Sequence, residues 1–505
     1  MTKSFSTYSR ENGGRVLLLF LLFCLAIYEF TTMGINGLAI ICLLPFIVIY
    51  IYAAFRWRML TFWLLFVINY FLQMKDVNLP VPMSIPNELL EITLLAIATI
   101  DARQDPHFER SCNLMFLALI IWCSFCTLEI LNDTCNLGIN LGSWYTGARM
   151  MAFQLLYVFL VFSLYISSPQ ILIKYLYLWG VLALFSVFWI WKQETFGFTA
   201  AERIWMETRG RSTHILNGGT LTRYFSTFSD AANYGCNTAA TAVAFIIFGI
   251  STKFKTFRYF SIITAVLIIW AMFQTGTRTA IFCLAAGLLT YVFLSKSIKI
   301  AVPFTIAFIF FAFILVFTDI GSGNQQIRRM RSAFKKNDAS AGVRDINKAV
   351  MKKYIRDAPW GIGIGMGREN VPANNKYRKL ATIPPDSEYV YIWLRTGPIG
   401  ITLFVITTII MFLGACQIVL FSLKNKSLIG IGGGLCGAFV AIQLGGYGNQ
   451  VLMQFPNCLI FYGGLTIVYI LPYIEPGWIE WEKKCLAEQE EKKRLKLERK
   501  LASRV

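Results

Sequence analysis

TAIFCLAAGLLTYVFLSKSIKIAVPFTIAFIFFAFILVFT, residues 279–318, is uncharged over two long runs parted by Lys296 and Lys299. Each run has the length that crosses the hydrocarbon core of a bilayer as a helix, roughly 20 residues. At Asp319 the chain opens into one long Arg- and Lys-rich segment that continues to Pro385, and a further apolar run follows. The basic segment therefore hangs between membrane helices and is not a separate soluble domain. A membrane protein that displays so many guanidinium and ammonium groups is built to hold something anionic.

The same pattern repeats along the whole chain. Of its 505 residues, 56% are hydrophobic and only 15% charged, the profile of a polytopic membrane protein. In lipid every backbone polar group must be satisfied internally, so spans are helices or barrel strands, and these continuous apolar runs lack the alternation of barrel strands. The expected fold is all-α, a polytopic integral membrane protein with about fourteen spans: 16–33, 37–55, 59–74, 87–101, 112–131, 148–167, 170–191, 230–250, 258–274, 279–295, 299–318, 388–422, 427–446 and 453–473. The run at 87–101 is short and carries Glu88 and Glu91, which also fits a re-entrant or interfacial piece. The first run, Val16 to Met33, is too long for a signal-peptide core and has no cleavage site, so it is expected to remain as a helix.

Loop charge sets the orientation. With the N-terminus (Lys3, Arg10, Arg15) in the cytoplasm, the alternate loops on that side carry Arg56 and Arg58, Arg103 and Arg110, Lys253 and Lys255, Lys296 and Lys299, and Lys424 and Lys426, as the positive-inside rule requires. Both termini are then cytoplasmic. The loops at 192–229, 275–278 and 319–387 are external, the last being long enough to escape the rule. The net charge of +19 is explained by topology, and nucleic-acid binding is not expected. Most of the twelve cysteines lie in apolar runs, where a thiol acts as a small hydrophobe, and the Cys123–Cys126 pair sits mid-helix with no second pair. The terminal stretch Glu480–Val505 alternates Glu with Lys and Arg and reads as a solvated helix beside the cytoplasmic leaflet.

Three external stretches carry candidate chemistry. In 192–229, Arg203, Arg209, Arg211, His214 and Arg223 lead into Ser229, Asp230 and Asn233 at the head of a span. Asp230 or Ser229 caps that helix, and its N-terminal dipole adds to a cationic surface. Thr275-Gly-Thr-Arg-Thr-Ala280 is a tight turn whose Arg278, at the membrane boundary, either snorkels to lipid phosphate or turns its planar fork toward a substrate phosphate. In the large loop an amphipathic stretch from Ser340 puts Ile346, Val350, Met351 and Ile355 on one side and lysines on the other, and is expected to lie against the membrane. It ends at Asp357-Ala-Pro-Trp360 and the glycine run Gly361, Gly363, Gly365, Gly367, which imitates a dinucleotide fingerprint but follows no buried strand. Asp386 and Glu388 then stand at the mouth of the next span, which continues through Tyr389 to Gly397-Pro-Ile-Gly400.

This order of motifs, from Arg223 and Asp230 through Arg278, Arg344 and the glycine run to Tyr389 and Gly397, resembles the O-antigen ligase and polymerase superfamily over about residues 200–400. The resemblance implies a GT-C-like glycosyltransferase of the bacterial inner membrane. It would work at the periplasmic face on a glycan linked to undecaprenyl pyrophosphate, with neither a cofactor nor a metal. The family's essential arginines fall on Arg278 and Arg344. Where the ligases carry a His-Asn pair, eleven residues before the first Gly of the Gly-x-x-Gly turn, this chain has Asp386 and Ser387. Catalytic roles are therefore expected for Arg278, Arg344, Asp386 and Glu388, and substrate binding for Arg211, Arg223, Asn233, Arg356 and Tyr389. The implied organisation is N-terminal spans to 191, a ligase-like core at 192–422, C-terminal spans at 423–475 and a charged tail at 476–505. The leading reading is a polysaccharide polymerase that extends lipid-linked chains. A ligase that moves the glycan to lipid A core or another acceptor is the alternative, and a transporter or flippase the rival of another class. Sugar identity and oligomeric state are not legible.

Overall fold

The computed structural model describes residues 13–33, 35–76, 84–101, 108–216, 219, 221–295, 325–331 and 339–502, with isolated positions at 302, 303, 306, 310, 313, 318 and 323. The chain divides into two compact units, residues 1–62 and 63–505. In the first, α1 (Gly13–Met33) and α2 (Ile35–Arg56) pack against one another and α3 (Arg58–Phe71) begins. The second holds the rest of α3, α4 (Ile85–Asp101), α5 (Leu114–Leu128), and α6 (Leu141–Ala148), joined by a π-helical turn to α7 (Gln154–Tyr165). It continues with α8 (Pro169–Thr195), α9 (Ala231–Ser251), α10 (Lys255–Gln274), α11 (Arg278–Leu294), α12 (Gln325–Arg331), α13 (Ala339–Ile355), α14 (Glu388–Gln417), α15 (Lys426–Gly448) and α16 (Gly463–Ala502).

The protein is an all-α polytopic membrane protein whose described sheet is one ribbon of two residues per strand, Ile215–Leu216 with Leu221–Thr222. Among the described residues eight helices are long and apolar enough to cross a membrane, nine if Val48–Arg56 and Arg58–Phe71 make one bent span. The helices follow the apolar runs closely. Fewer of them qualify as spans: α4 and α11 have only 17 residues each, α1 enters as a shorter apolar helix, Gly13–Leu25, α2 and α3 enter only as the bent pair, and the run at 299–318 lies, apart from isolated positions, outside the described residues. Starts are set by side-chain caps: Asn113 for α5, Ser168 with Pro169 for α8, Asp230 for α9 and Asn425 for α15, each accepting from amides of the first turn.

The core forms around α9, which is buried nearly along its whole length and packs on α10, α11 and α15. Small residues let these backbones approach: a Cβ at Gly287 of α11 would meet the Gly437 carbonyl of α15 at 2.7 Å. Glu88 and Glu91 keep α4 within the bundle because both have partners. Glu88 forms a buried ion pair with Arg149 (3.1 Å), and Glu91 accepts from Gln154 (2.7 and 2.9 Å). At the other end of the chain α16 runs unbroken from the last span into the charged tail. The stretch expected to be a solvated helix therefore begins as packed structure: Glu482 is buried, paired with Lys253 (2.9 Å) and hydrogen-bonded by Ser427 (2.6 Å) and Asn425 (3.0 Å).

Part of the amphipathic stretch in the large loop packs on protein. Met351 and Ile355 of α13 enter a small core with Ala358, Ile362, Leu380 and Leu394, whereas Ile346 is exposed. The Met351–Ile355 end of the apolar face is covered by protein. A backbone clasp fastens this loop to α14. At Gly397 the helix breaks (φ 68°, ψ −172°), and Pro398 has no N–H to give the carbonyl of Leu394 four residues earlier. That carbonyl accepts from Ile362 (3.0 Å) and the Arg395 carbonyl accepts from Gly363 (3.0 Å). A Cβ at Gly361 or Gly397 would strike the other segment's backbone. The glycine run is thus a docking element and no nucleotide cradle. Replacing Gly397 by Ala forces a side chain into a left-handed residue and into the Pro359 carbonyl, and should cost about 3 kcal/mol or more. A thermal-unfolding midpoint equal to that of the parent protein would rule out the clasp.

Candidate functional site

Five helix ends meet on one side of the second unit: the starts of α9, α11 and α14 and the ends of α10 and α15. Their residues, with Trp205, the 212–216 segment, Arg223 and Arg329, line a cavity of about 860 Å³. Lys253, Asn425, Ser427 and Glu482 meet at the opposite ends of α9 and α15.

The cavity is cationic on one side because a turn there offers carbonyl oxygens that guanidinium groups satisfy. Arg223 donates to the carbonyls of Thr275 (3.0 Å) and Thr213 (2.9 Å) and to the Thr277 hydroxyl (3.0 Å). Thr277 in turn donates to the Ala231 carbonyl (2.7 Å). Arg329 donates to the carbonyl of Gly276 (2.9 Å). Arg278 opens α11 and faces the same space. Burial draws Arg223 below the usual guanidinium range, with Asp230 opposing and Arg278 reinforcing the shift. It remains charged at any physiological pH.

Asp230 supplies the anionic counterweight and organises the head of α9. One carboxylate oxygen accepts the amides of Ala232 (2.7 Å) and Asn233 (2.9 Å), and the other accepts from Ser229 (3.0 Å). The amide of Ala231 is taken by a less usual cap, Nε2 of His214 (3.0 Å), whose ring stands edge-on to Trp205 and Phe225. Accepting that bond requires Nε2 unprotonated, which leaves the proton on Nδ1, beside the Gly210 carbonyl (3.2 Å). Burial, reinforced by Arg223, lowers the His214 pKa to about 4.

A bracket from the 73–76 segment holds this head in place. Gln73 accepts from the Ser229 amide (2.9 Å) and from Asn233 (3.3 Å) and donates to Gln454 (3.2 Å). Lys75 donates to the Ser229 carbonyl (2.8 Å) and lies over the Trp205 ring at 4.2 Å. Burial against these rings lowers its pKa to about 8, with Asp230 and Glu202 opposing.

The other side of the cavity is neutral apart from Asp386. Asn449, Gln450 and Gln454 follow the end of α15, and Asn449 donates to Thr279 (3.2 Å) across the gap to the arginine-bearing turn. Glu388 sets this segment. It is buried, its carboxylate accepts the Leu452 amide (3.1 Å), and its own amide donates to the Asn449 carbonyl (3.4 Å).

Of the residues singled out in the sequence, Arg223, Arg278 and Asp386 line one cavity, and Asn233 is buried just behind it, bonded to Asn457 (2.6 Å). Glu388 and Tyr389 do not line it; the Tyr389 hydroxyl donates to Gln443 (2.9 Å). Arg211 and Arg356 are exposed and outside the lining. Arg344 belongs to α13, and its side chain lies outside the described residues. Arg329, Gln73, Lys75 and the three amides were not selected. Only Arg329 had a signal, its place in the basic loop.

The His214 cap carries a pH dependence of fixed sign. The folded pKa lies below the ordinary 6.5, so its contribution, on the order of 3 kcal/mol, is complete above pH ~6.5 and is lost as pH falls toward ~4. His214→Gln keeps an acceptor that does not titrate. The difference in thermal midpoint between parent and variant should change by several degrees between pH 7 and 4.5, and parallel curves would refute the cap.

No curated protein matches the chain. Residues 263–405, which run from α10 through the arginine-bearing turn and the large loop into α14, match the family model described as O-antigen ligase. That match, over less than half of the chain, makes this stretch similar to the O-antigen ligase and polymerase superfamily and supports a role of that type in polysaccharide biosynthesis.

Proposed function

We propose that the protein is a membrane glycosyltransferase that polymerises undecaprenyl-pyrophosphate-linked repeat units at the periplasmic face of the bacterial inner membrane. The reading includes a GT-C-like architecture and cytoplasmic termini. The observation that carries it is the gathering of Arg223, Arg278 and Arg329 on one 860 Å³ cavity at the helix ends, with Asp386 in the same lining. A lipid-linked donor presents its diphosphate at the level where the membrane helices end. Guanidinium groups already held by backbone carbonyls need no reorganisation to meet it.

In the transfer, an acceptor hydroxyl oxygen forms a bond to the anomeric carbon and the bond from that carbon to the phosphate oxygen breaks. The electron pair leaves with the lipid diphosphate, where the arginines stabilise the growing charge. The hydroxyl proton passes to Asp386 and on to water. Asp386 is exposed, so its larger contribution is to hold the hydroxyl in line for attack. Arg344 is retained as a further donor to the diphosphate, and Glu388 acts through the segment it anchors.

The ligase alternative is weighed by one feature. The ligases' His-Asn pair corresponds to Asp386 and Ser387, and Ser387 is spent on the Gly446 carbonyl (3.1 Å). The acceptor decides between the two. Purified protein given lipid-linked glycan should lengthen the lipid-linked chains; glycan appearing on a core oligosaccharide would instead establish ligation. Arg278→Lys keeps the charge and removes the fork, and should lower the transfer rate ~100-fold or more. A rate within twofold of the parent would remove the phosphate clamp from the mechanism.

A further inference from the structure

The two sides of the cavity differ in chemistry as well as in origin. The arginines come from the Arg223 segment, the start of α11 and α12. Asp386 comes from the end of the large loop, and Gln450 and Gln454 from the segment after α15, beyond the part of the chain that matches the ligase family. Their polar groups are largely uncommitted. Gln454 gives its carbonyl oxygen to Gln73 (3.2 Å), which leaves its NH₂ group without a described partner. Gln450 is half-buried and makes no hydrogen bond to any described residue, and the same holds for the exposed Asp386.

Resting on the glycosyltransferase reading, we propose that Asp386, Gln450 and Gln454 form the acceptor subsite, and that it takes an uncharged, hydroxyl-bearing sugar. A primary amide offers donors and an acceptor in one plane, which matches the paired donor and acceptor character of neighbouring sugar hydroxyls and carries no charge. The one carboxylate accepts from a hydroxyl and repels phosphate or a sugar acid, so the arginines and this group sort the two substrates by charge. The subsite is held in register by parts that touch no substrate. Glu388 fixes the segment through the Leu452 amide, Asn457 through the Val451 carbonyl (2.8 Å), and Gln73 ties Gln454 to the head of α9.

The test uses the full-length protein in liposomes, with lipid-linked repeat unit extracted from the cells that make it as donor and the fluorescently labelled free repeat oligosaccharide as acceptor. Gln450→Ala should raise the acceptor KM at least tenfold and leave the donor KM within twofold, and Arg278→Lys should do the reverse. Gln450→Glu, nearly isosteric, preserves the segment's shape and should show the same acceptor defect, which separates lost recognition from lost folding. An acceptor KM within twofold of the parent in both variants, or a donor KM that rises in parallel, overturns the subsite while leaving the transferase reading intact. Should the parent protein transfer no glycan, that reading falls, and fluorescence polarisation of the same oligosaccharide decides the subsite alone. Tenfold weaker binding in both Gln450 variants supports it, and unchanged binding overturns it.

Discussion

The hydrogen bonds from Arg223 to the Thr275–Thr277 turn hold the rest of the site together. A tight turn between two membrane helices leaves backbone carbonyls pointing inward at the end of the bundle, and a buried carbonyl without a donor costs about 1–3 kcal/mol. Arg223 answers the Thr275 carbonyl and the Thr277 hydroxyl of the turn together with the Thr213 carbonyl, and Arg329 answers the carbonyl of Gly276. The same bonds that satisfy the turn fix the positions of two guanidinium groups, and the turn they stabilise begins α11 with Arg278. A cationic cavity therefore arises as a by-product of backbone satisfaction, with Asp230 close enough to offset part of the like-charge repulsion.

Rigidity at this end comes from segments far apart in sequence. The 73–76 bracket, the head of α9 and the 449–457 segment are joined through Gln73, Asn233 and Asn457, so a displacement of any one strains the others. The loop clasp at Gly361 and Gly397 does the same for α14, whose first residues carry Ser387 and Glu388 into contact with the end of α15. Catalysis by fixed charges needs this preorganisation, because groups that must swing into place give back in reorganisation what they gain in attraction.

How much of this was legible in the sequence follows from which interactions are local. Apolar runs report on lipid, and most of the described helices follow them to within a few residues, whereas α16 runs on to Ala502. Caps such as Asp230 are local too, and were read as such. The amphipathic stretch from Ser340 was legible as a helix, but its pattern does not say whether lipid or protein covers the apolar side; Met351 and Ile355 found a protein partner through Ile362 and Leu394. The same limit applies to Glu482, whose charged neighbours suggest solvent until Lys253 and Ser427 are brought to it by the fold. Arg223, Arg278 and Asp386 were found because they stand in external stretches at span ends and fall on the motifs that carry the family resemblance. Gln450 and Gln454 were missed because amides in a short loop are ordinary, and only the cavity makes them notable.

The placement of charge also bears on the transporter alternative. A conduction path for an anionic solute needs ionisable groups along the interior of the bundle, free to exchange partners as the solute passes. Two interior carboxylates are instead spent: Glu88 faces Arg149, and Glu91 is bonded by both its oxygens to Gln154. α9, α11 and α15 meet at small residues, with the Gly287 and Gly437 backbones in close approach, and leave little space for passage. The polar groups that line the cavity lie where the helices end. There a guanidinium keeps part of its hydration while facing a headgroup-level diphosphate, so the desolvation cost that would penalise it mid-bilayer is largely avoided. That balance favours chemistry on a lipid-linked molecule at the bundle's rim over movement of a solute through its centre.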